Sequence, residues 1–182
     1  MVITPTTRGE DGGHDEELTS EEARRIVDYK FGYGMYNKAE KAAVELFKRG
    51  SRFHRKRGLI LVDTKFEFGV DEDGRLLLID ELLTSDSSRI WLNETYQQRF
   101  ENGENPDAFD KEILRRWLAQ NGFTGQEGTR VPVVDTAIID QMSMAYQAPY
   151  AMITGRNLPE TPTDPLALER DIQQAVYRYY NK

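Results

Sequence analysis

Residues 59–70 carry the pattern that most limits how this chain can fold. The even positions Ile60, Val62, Thr64, Phe66 and Phe68 form an apolar face, and the odd positions are Leu59, Leu61, Asp63, Lys65 and Glu67. Side chains alternate across a strand, so this period of two predicts one strand over 59–70 with three charges on one face. Asp71-Glu72-Asp73-Gly74 follows as a hairpin turn signal, and 75–82 as the returning strand.

The remaining segments read mostly as helices. Thr19-x-x-Glu22 has capping-box spacing and starts a short helix that Gly32 and Gly34 end. A long helix is predicted over 36–54, with Tyr36, Ala39, Ala43, Leu46, Phe47 and Phe53 inward and basic residues at its end. Further helices are expected over 94–101, 110–121 and 133–154, with loops at 84–88 and 122–132. Residues 158–182 are read as a proline-containing linker and a last helix packing through Leu168, Ile172, Ala175, Val176 and Tyr179. The expected fold class is α+β, an antiparallel sheet packed against helices.

Composition closes off several functions. There are no cysteines, which excludes disulfides, thiolate metal sites and a cysteine nucleophile. No apolar run approaches the ~18 residues of a membrane-spanning helix. The first stretch is polar and acidic, without a secretory or transit pattern, so a cytoplasmic location is expected. The net charge of −7 argues against general nucleic-acid binding, which relies on a basic face. It leaves room for a small anionic ligand at a local cluster of cations.

Such a cluster is predicted around the hairpin. Folding at 71–74 brings Asp80 roughly opposite 63–67. Glu67 and Asp80 would then be placed to hold one hard cation, with Lys65 between them to meet an anion. A solvated strand face with cross-strand ion pairs is the plainer alternative. The loop Thr84-Ser85-Asp86-Ser87-Ser88-Arg89 offers hydroxyls, a carboxylate and a guanidinium, as a phosphate site or as a capped turn. Lys111 and Arg115 share a helix face at i,i+4 spacing, which a solvated helix would also show.

Leu61-Val62-Asp63-Thr64-Lys65-Phe66-Glu67-Phe68-Gly69 resembles the second signature of the SAICAR synthetase family. Further stretches resemble the same family in the same order: Thr4-Pro5-Thr6-Thr7 with Gly13-His14-Asp15-Glu16, then Ile79-Asp80-Glu81 with 84–89. Phe109-Asp110-Lys111 to Trp117-Leu118 and Tyr150 to Gly155 complete the set. The resemblance covers about residues 3–157, taken as a C-terminal lobe of that family. It implies ligation of aspartate to a carboxyaminoimidazole ribonucleotide with ATP and Mg²⁺, through an acyl phosphate, in purine biosynthesis. It also implies roles. Glu67 and Asp80 would bind Mg²⁺, and Asp63 and Lys65 would face the reacting carboxylate and phosphoryl group. Asp86 and Arg89, with Ser87 or Ser88, would contact the imidazole nucleotide. Lys111 and Arg115 would neutralise its phosphate, while His14 and Asp15 would border the cleft.

The family's N-terminal β-rich lobe, with its glycine-containing phosphate loop, its lysine and its first signature, has no counterpart in this sequence. No G-x-x-x-x-G-K-[ST] replaces it. Three readings follow: a ligase subunit completed by a separate N-terminal lobe, a nucleotide-binding module without ligation, or a structural remnant. A lobe of this kind is expected to expose apolar surface and to occur as a homo-oligomer or in complex with the missing lobe.

Overall fold

The computed structural model describes residues 1–7, 15–123, 125, 128–158 and 164–181. The elements run α1 (Ser20–Phe31), α2 (Met35–Arg55), β1 (Leu59–Thr64), β2 (Phe68–Val70), β3 (Leu76–Leu78) and β4 (Ser88–Leu92). They continue with α3 (Asn93–Glu101), α4 (Glu112–Gln120), α5 (Thr136–Thr154) and α6 (Pro165–Tyr180). The class is the expected α+β, with small antiparallel sheets against helices. No described helix is long and apolar enough to cross a membrane.

The helix start at Thr19 follows from local hydrogen bonding. The Glu22 N–H donates to Thr19 Oγ1 at 3.2 Å, and the Thr19 N–H donates to Glu22 Oε2 at 2.9 Å. Gly32, at φ 101°, ends α1 in backbone geometry closed to most side chains. The Tyr36 N–H then donates to Asp28 Oδ1 at 2.9 Å and joins α2 to α1. The first segment, 1–7, folds back on 15–18 through a Thr6–Glu17 bridge.

The single long strand expected over 59–70 is two strands in two sheets. β1 pairs antiparallel with β4, with Leu59 opposite Leu92 and Thr64 opposite Ser88, and with an irregularity between Leu61 and Asp63. Lys65 extends this pairing once, its N–H donating to the Ser87 carbonyl at 2.9 Å. The chain then crosses to a second ribbon, where β2 pairs with β3 from Phe68–Leu78 to Val70–Leu76. The returning strand is three residues long, not the expected eight-residue span. The turn at 71–74 is as expected, held by the Arg75 N–H donating to Asp71 Oδ1 at 2.8 Å. β4 lies in a stretch expected to be partly loop and otherwise unassigned.

The core forms where β1 meets α2. Leu59, Leu61 and Ile90 are buried, with Phe47, Leu83, Phe109, Met152 and Ile153 packed around them. The buried face of β1 is the odd one over 59–61, but the irregularity before Asp63 turns the alternation over. Asp63 pairs with exposed Arg89 and Thr64 with buried Ser88, so the expected continuity of the buried odd face into Asp63 is not found. Gly50 permits this packing, because a Cβ there would stand 2.6 Å from Leu83 Cδ1. Residues 107–109 run beside β4: the Leu92 N–H donates to the Asp107 carbonyl and the Phe109 N–H to the Ile90 carbonyl, both at 2.9 Å. α4 then packs on α5. The expected packing side of α6 is not buried: Leu168, Ile172, Val176 and Tyr179 are all exposed. The linker before it lies partly outside the described residues.

Candidate functional site

Four stretches converge on one cavity of about 310 Å³. The end of β1 brings Asp63 and Lys65, and the exit of β3 brings Asp80 and Glu81. The loop into β4 brings Asp86, Ser87, Ser88 and Arg89, and the start of α4 brings Asp110, Lys111 and Arg115. Of the residues expected at a site, nine line this space: Asp63, Lys65, Asp80, Asp86, Ser87, Ser88, Arg89, Lys111 and Arg115. A larger space of about 580 Å³ lies along α6 between Arg170 and Arg178. Among the described residues its lining belongs to one exposed helix alone.

The loop is rigidified by its own hydroxyls. The Thr84 N–H donates to Ser87 Oγ and the Ser87 N–H donates to Thr84 Oγ1, each at 3.1 Å. The Thr84 hydroxyl also donates to Glu81. Ser88 is buried and its hydroxyl donates to Thr64 Oγ1 at 2.8 Å, tying β4 to β1. This part of the loop is thus a capped turn as well as a cavity wall.

Each cation of the cavity rests on a carboxylate. Arg89 Nη2 meets Asp63 Oδ2 at 3.0 Å, and Lys111 Nζ meets Asp86 Oδ1 at 3.5 Å. Arg115 Nη1 meets Glu112 Oε2 at 3.5 Å. Lys65 Nζ lies 2.9 Å from Glu67 Oε1 and 3.0 Å from Asp15 Oδ2. The hydrogen bond to Glu67, then that to Asp15, holds the Lys65 ammonium above its ordinary pKa. Exposed pairs of this kind contribute about 0–1 kcal/mol, so an incoming phosphate can displace them at little cost. Burial, then the carboxylates of Asp86, Asp110 and Glu81, raises the Tyr146 phenol on α5 and keeps it a hydrogen-bond donor.

Glu67 and Asp80 do not face each other as expected. The Ile79 N–H donates to the Glu67 carbonyl at 3.0 Å, so Glu67 neighbours Ile79 and Asp80 falls one position beyond. Glu67 is held by Lys65 and is not among the residues lining the cavity, whereas Asp80 is. No three carboxylates or imidazoles among the described residues gather as a metal cage. Mg²⁺ is commonly held by one or two carboxylates with substrate phosphates, and Asp80 on the cavity wall fits that arrangement. His14 lies outside the described residues, and Asp15 reaches the site through Lys65.

Two further residues lining the cavity were not singled out from the sequence as site residues, Glu81 and Asp110, and Tyr146 lies near enough to sense their charge. Glu81 and Asp110 adjoin residues that were singled out, which was the available signal. Tyr146 lies far along the chain on a helix read only for its apolar side.

A family model described as SAICAR synthetase matches residues 1–132. A phosphoribosylaminoimidazole-succinocarboxamide synthase of Bacteroides thetaiotaomicron is 41% identical over 184 residues, covering 100% of this chain and 56% of that protein. One from Cyberlindnera jadinii is 41% identical over 155 residues, covering 85% of this chain and 48% of its own. The solved SAICAR synthase of Saccharomyces cerevisiae, complexed with SAICAR, superposes with a TM-score of 0.63 at 33% identity, over 80% of this chain and 46% of that one. The chain spans about half the length of the curated relatives it matches. With the family match extending over more than half of its residues, and with matching folds, this chain belongs to the SAICAR synthetase family.

Proposed function

We propose that this chain is the substrate-binding part of an ATP-dependent ligase that joins aspartate to a carboxyaminoimidazole ribonucleotide in purine biosynthesis, completed by a separate N-terminal lobe. The observation that carries this reading is the gathering of Lys65, Arg89, Lys111 and Arg115 with five carboxylates around one cavity. Cations and carboxylates so mixed suit a substrate with a phosphate at one end and a reacting carboxylate at the other.

In this reading Lys111 and Arg115 take the ribose phosphate. Asp86 and Arg89, with Ser87 or Ser88, contact the imidazole nucleotide, Arg89 from the side of its phosphate. Lys65 meets the transferred phosphoryl group and Asp63 faces the reacting carboxylate. A carboxylate oxygen of the substrate attacks the γ-phosphorus of ATP and ADP leaves. The aspartate amine then attacks the acyl carbon and phosphate leaves. Mg²⁺ held by Asp80, with Glu67 close behind Lys65, would neutralise the nucleotide's phosphates. Asp15 borders the cleft through Lys65. The family lobe is taken as 1–157, with 158–182 as linker and helix.

Exposed Leu77, Ile79 and Leu82 at the hairpin, and the apolar face of α6, support a covering partner or self-association. A nucleotide-binding module without ligation is the second reading, which the same cations around the cavity would serve. Co-expression with the unmatched remainder of the Bacteroides relative, followed by an assay of aspartate-dependent ADP release, tests the first reading. Release only when both are present supports it. Binding of Mg²⁺–ATP or ribonucleotide without release transfers support to the second, and no binding at all leaves a structural remnant.

A further inference from the structure

Asp110 is 1% exposed, although it borders a cavity lined by charged groups. Burying a carboxylate is costly unless both its oxygens are satisfied. Here each has a backbone partner. The Glu112 N–H, at the first residue of α4, donates to Oδ1 at 2.8 Å. The Ile90 N–H of β4 donates to Oδ2 at 3.3 Å.

Those two bonds join elements that otherwise part company. Residues 107–109 pair with β4 as far as the Phe109 N–H on the Ile90 carbonyl. A continuing ladder would offer the Ile90 N–H a backbone carbonyl. The chain instead turns into α4, and the Asp110 side chain takes that N–H while capping the helix. Arg89 precedes Ile90, and Lys111 and Arg115 stand on the first turns of α4. One buried side chain therefore sets how far Arg89 lies from Lys111 and Arg115.

We propose that Asp110 is a positioning residue that holds Arg89 of β4 and Lys111 and Arg115 of α4 at the spacing of one phosphate ester. This rests on the reading of the cavity as a ribonucleotide site. The sign of its effect separates positioning from charge. A carboxylate beside the cations repels phosphate, so removing its charge alone would tighten binding. Loss of positioning weakens it. Asp110→Asn keeps the shape and removes the charge, but its amide nitrogen must then face one of the two N–H donors. Asp110→Ser keeps a helix-capping hydroxyl that is too short to reach Ile90 as well.

The test is calorimetric titration of the full chain with aminoimidazole carboxamide ribonucleotide and with its unphosphorylated riboside. Asp110→Asn and Asp110→Ser should each weaken ribonucleotide binding by roughly tenfold, the scale of one lost hydrogen bond, with the riboside unaffected. In an Arg115→Ala background the loss should shrink, since residues acting through one another are not additive. Amide exchange at Ile90 should quicken in both variants without ligand. Unchanged or tighter ribonucleotide binding overturns the inference, as does equal weakening for the riboside. So does full additivity with Arg115→Ala. If Asp110→Asn fails to fold, Asp110→Ser decides by the same readings. A wild-type chain that binds neither probe overturns the ribonucleotide reading itself, and the inference with it.

Discussion

β1–β4 and β2–β3 are both two-stranded antiparallel pairs, yet they are finished differently. The first is covered by α2 on its odd face, flanked along β4 by 107–109, and buries Leu59, Leu61 and Ile90. The second has three residues in each strand, leaves Leu77 and Ile79 exposed, and meets α2 through β3. An isolated hairpin of that size is at best marginally stable in water. One pair is a core in its own right, and the other leaves apolar side chains on the surface. The cavity lies between them, its charged wall anchored on the finished pair.

The sharpest way to break that contrast is to empty each side in turn. Leu59→Ala should cost about 2–5 kcal/mol in urea unfolding, through lost burial and a cavity beneath α2. Leu77→Ser should stay within about 0.5 kcal/mol, as exposed positions do. Comparable losses at the two sites would show that the hairpin is as much a core as β1–β4.

Leu77→Ser combined with Ile79→Ser should instead act on association. Sedimentation of the wild-type chain with the complementary half of a relative should show a complex that the double variant weakens by tenfold or more, a loss of about 1.4 kcal/mol. A complex indifferent to both changes would move the interface elsewhere, with the α6 face next in line.

At the cavity the effects on stability should be smaller than those on binding. Asp80→Asn should abolish Mg²⁺–ATP binding while moving the unfolding midpoint little, because an exposed charge contributes about 0–1 kcal/mol. Glu67→Gln, off the cavity wall and paired with Lys65, should weaken binding less. Lys65→Ala should lower the midpoint slightly, leaving Asp15 and Glu67 without their shared cation. Carboxylate variants that bind as wild type does would remove Glu67 and Asp80 from the metal role.

The smallest effect concerns pH. The Arg99 guanidinium, then the Thr95 hydroxyl, holds the Asp107 carboxyl below its ordinary range. A group with a lowered folded pKa stabilises above its unfolded value, about 3.9 for Asp, and loses that contribution as pH falls through the folded value. Melting of the wild type should therefore decline below about pH 4 more steeply than that of Asp107→Asn. Lys65 has the opposite sign. Its raised pKa stabilises fully below about 10.4, and the contribution is lost as pH rises through the folded value. Parallel acid limbs for wild type and Asp107→Asn would detach Asp107 from the 104–110 segment beside β4.

Wherever a hydrogen bond closes within a few residues, the sequence determined the outcome. The Thr19–Glu22 box, the glycine break between α1 and α2, the turn at Asp71 and the extents of the helices follow from spacing and turn chemistry. Leu59 and Leu61 share a buried face as their spacing implies, but the irregularity after Leu61, which spacing does not show, sets Asp63 beside exposed Arg89 instead of continuing that face. The tertiary structure decided what depends on distant partners. The chain leaves β4 after Lys65, whose N–H donates to the Ser87 carbonyl, and it rejoins pairing only beside β3. Helical spacing placed Phe53 inward, yet Phe53 is exposed beneath Arg57, 3.6 Å from its ring centroid. His54 is buried, its Nδ1 donating to the Gly50 carbonyl at 2.8 Å. A rotation of one residue leaves no trace in a period of 3.6. Nor does spacing along one segment reveal that Asp110 reaches across to Ile90, since that bond exists only once β4 and α4 have met.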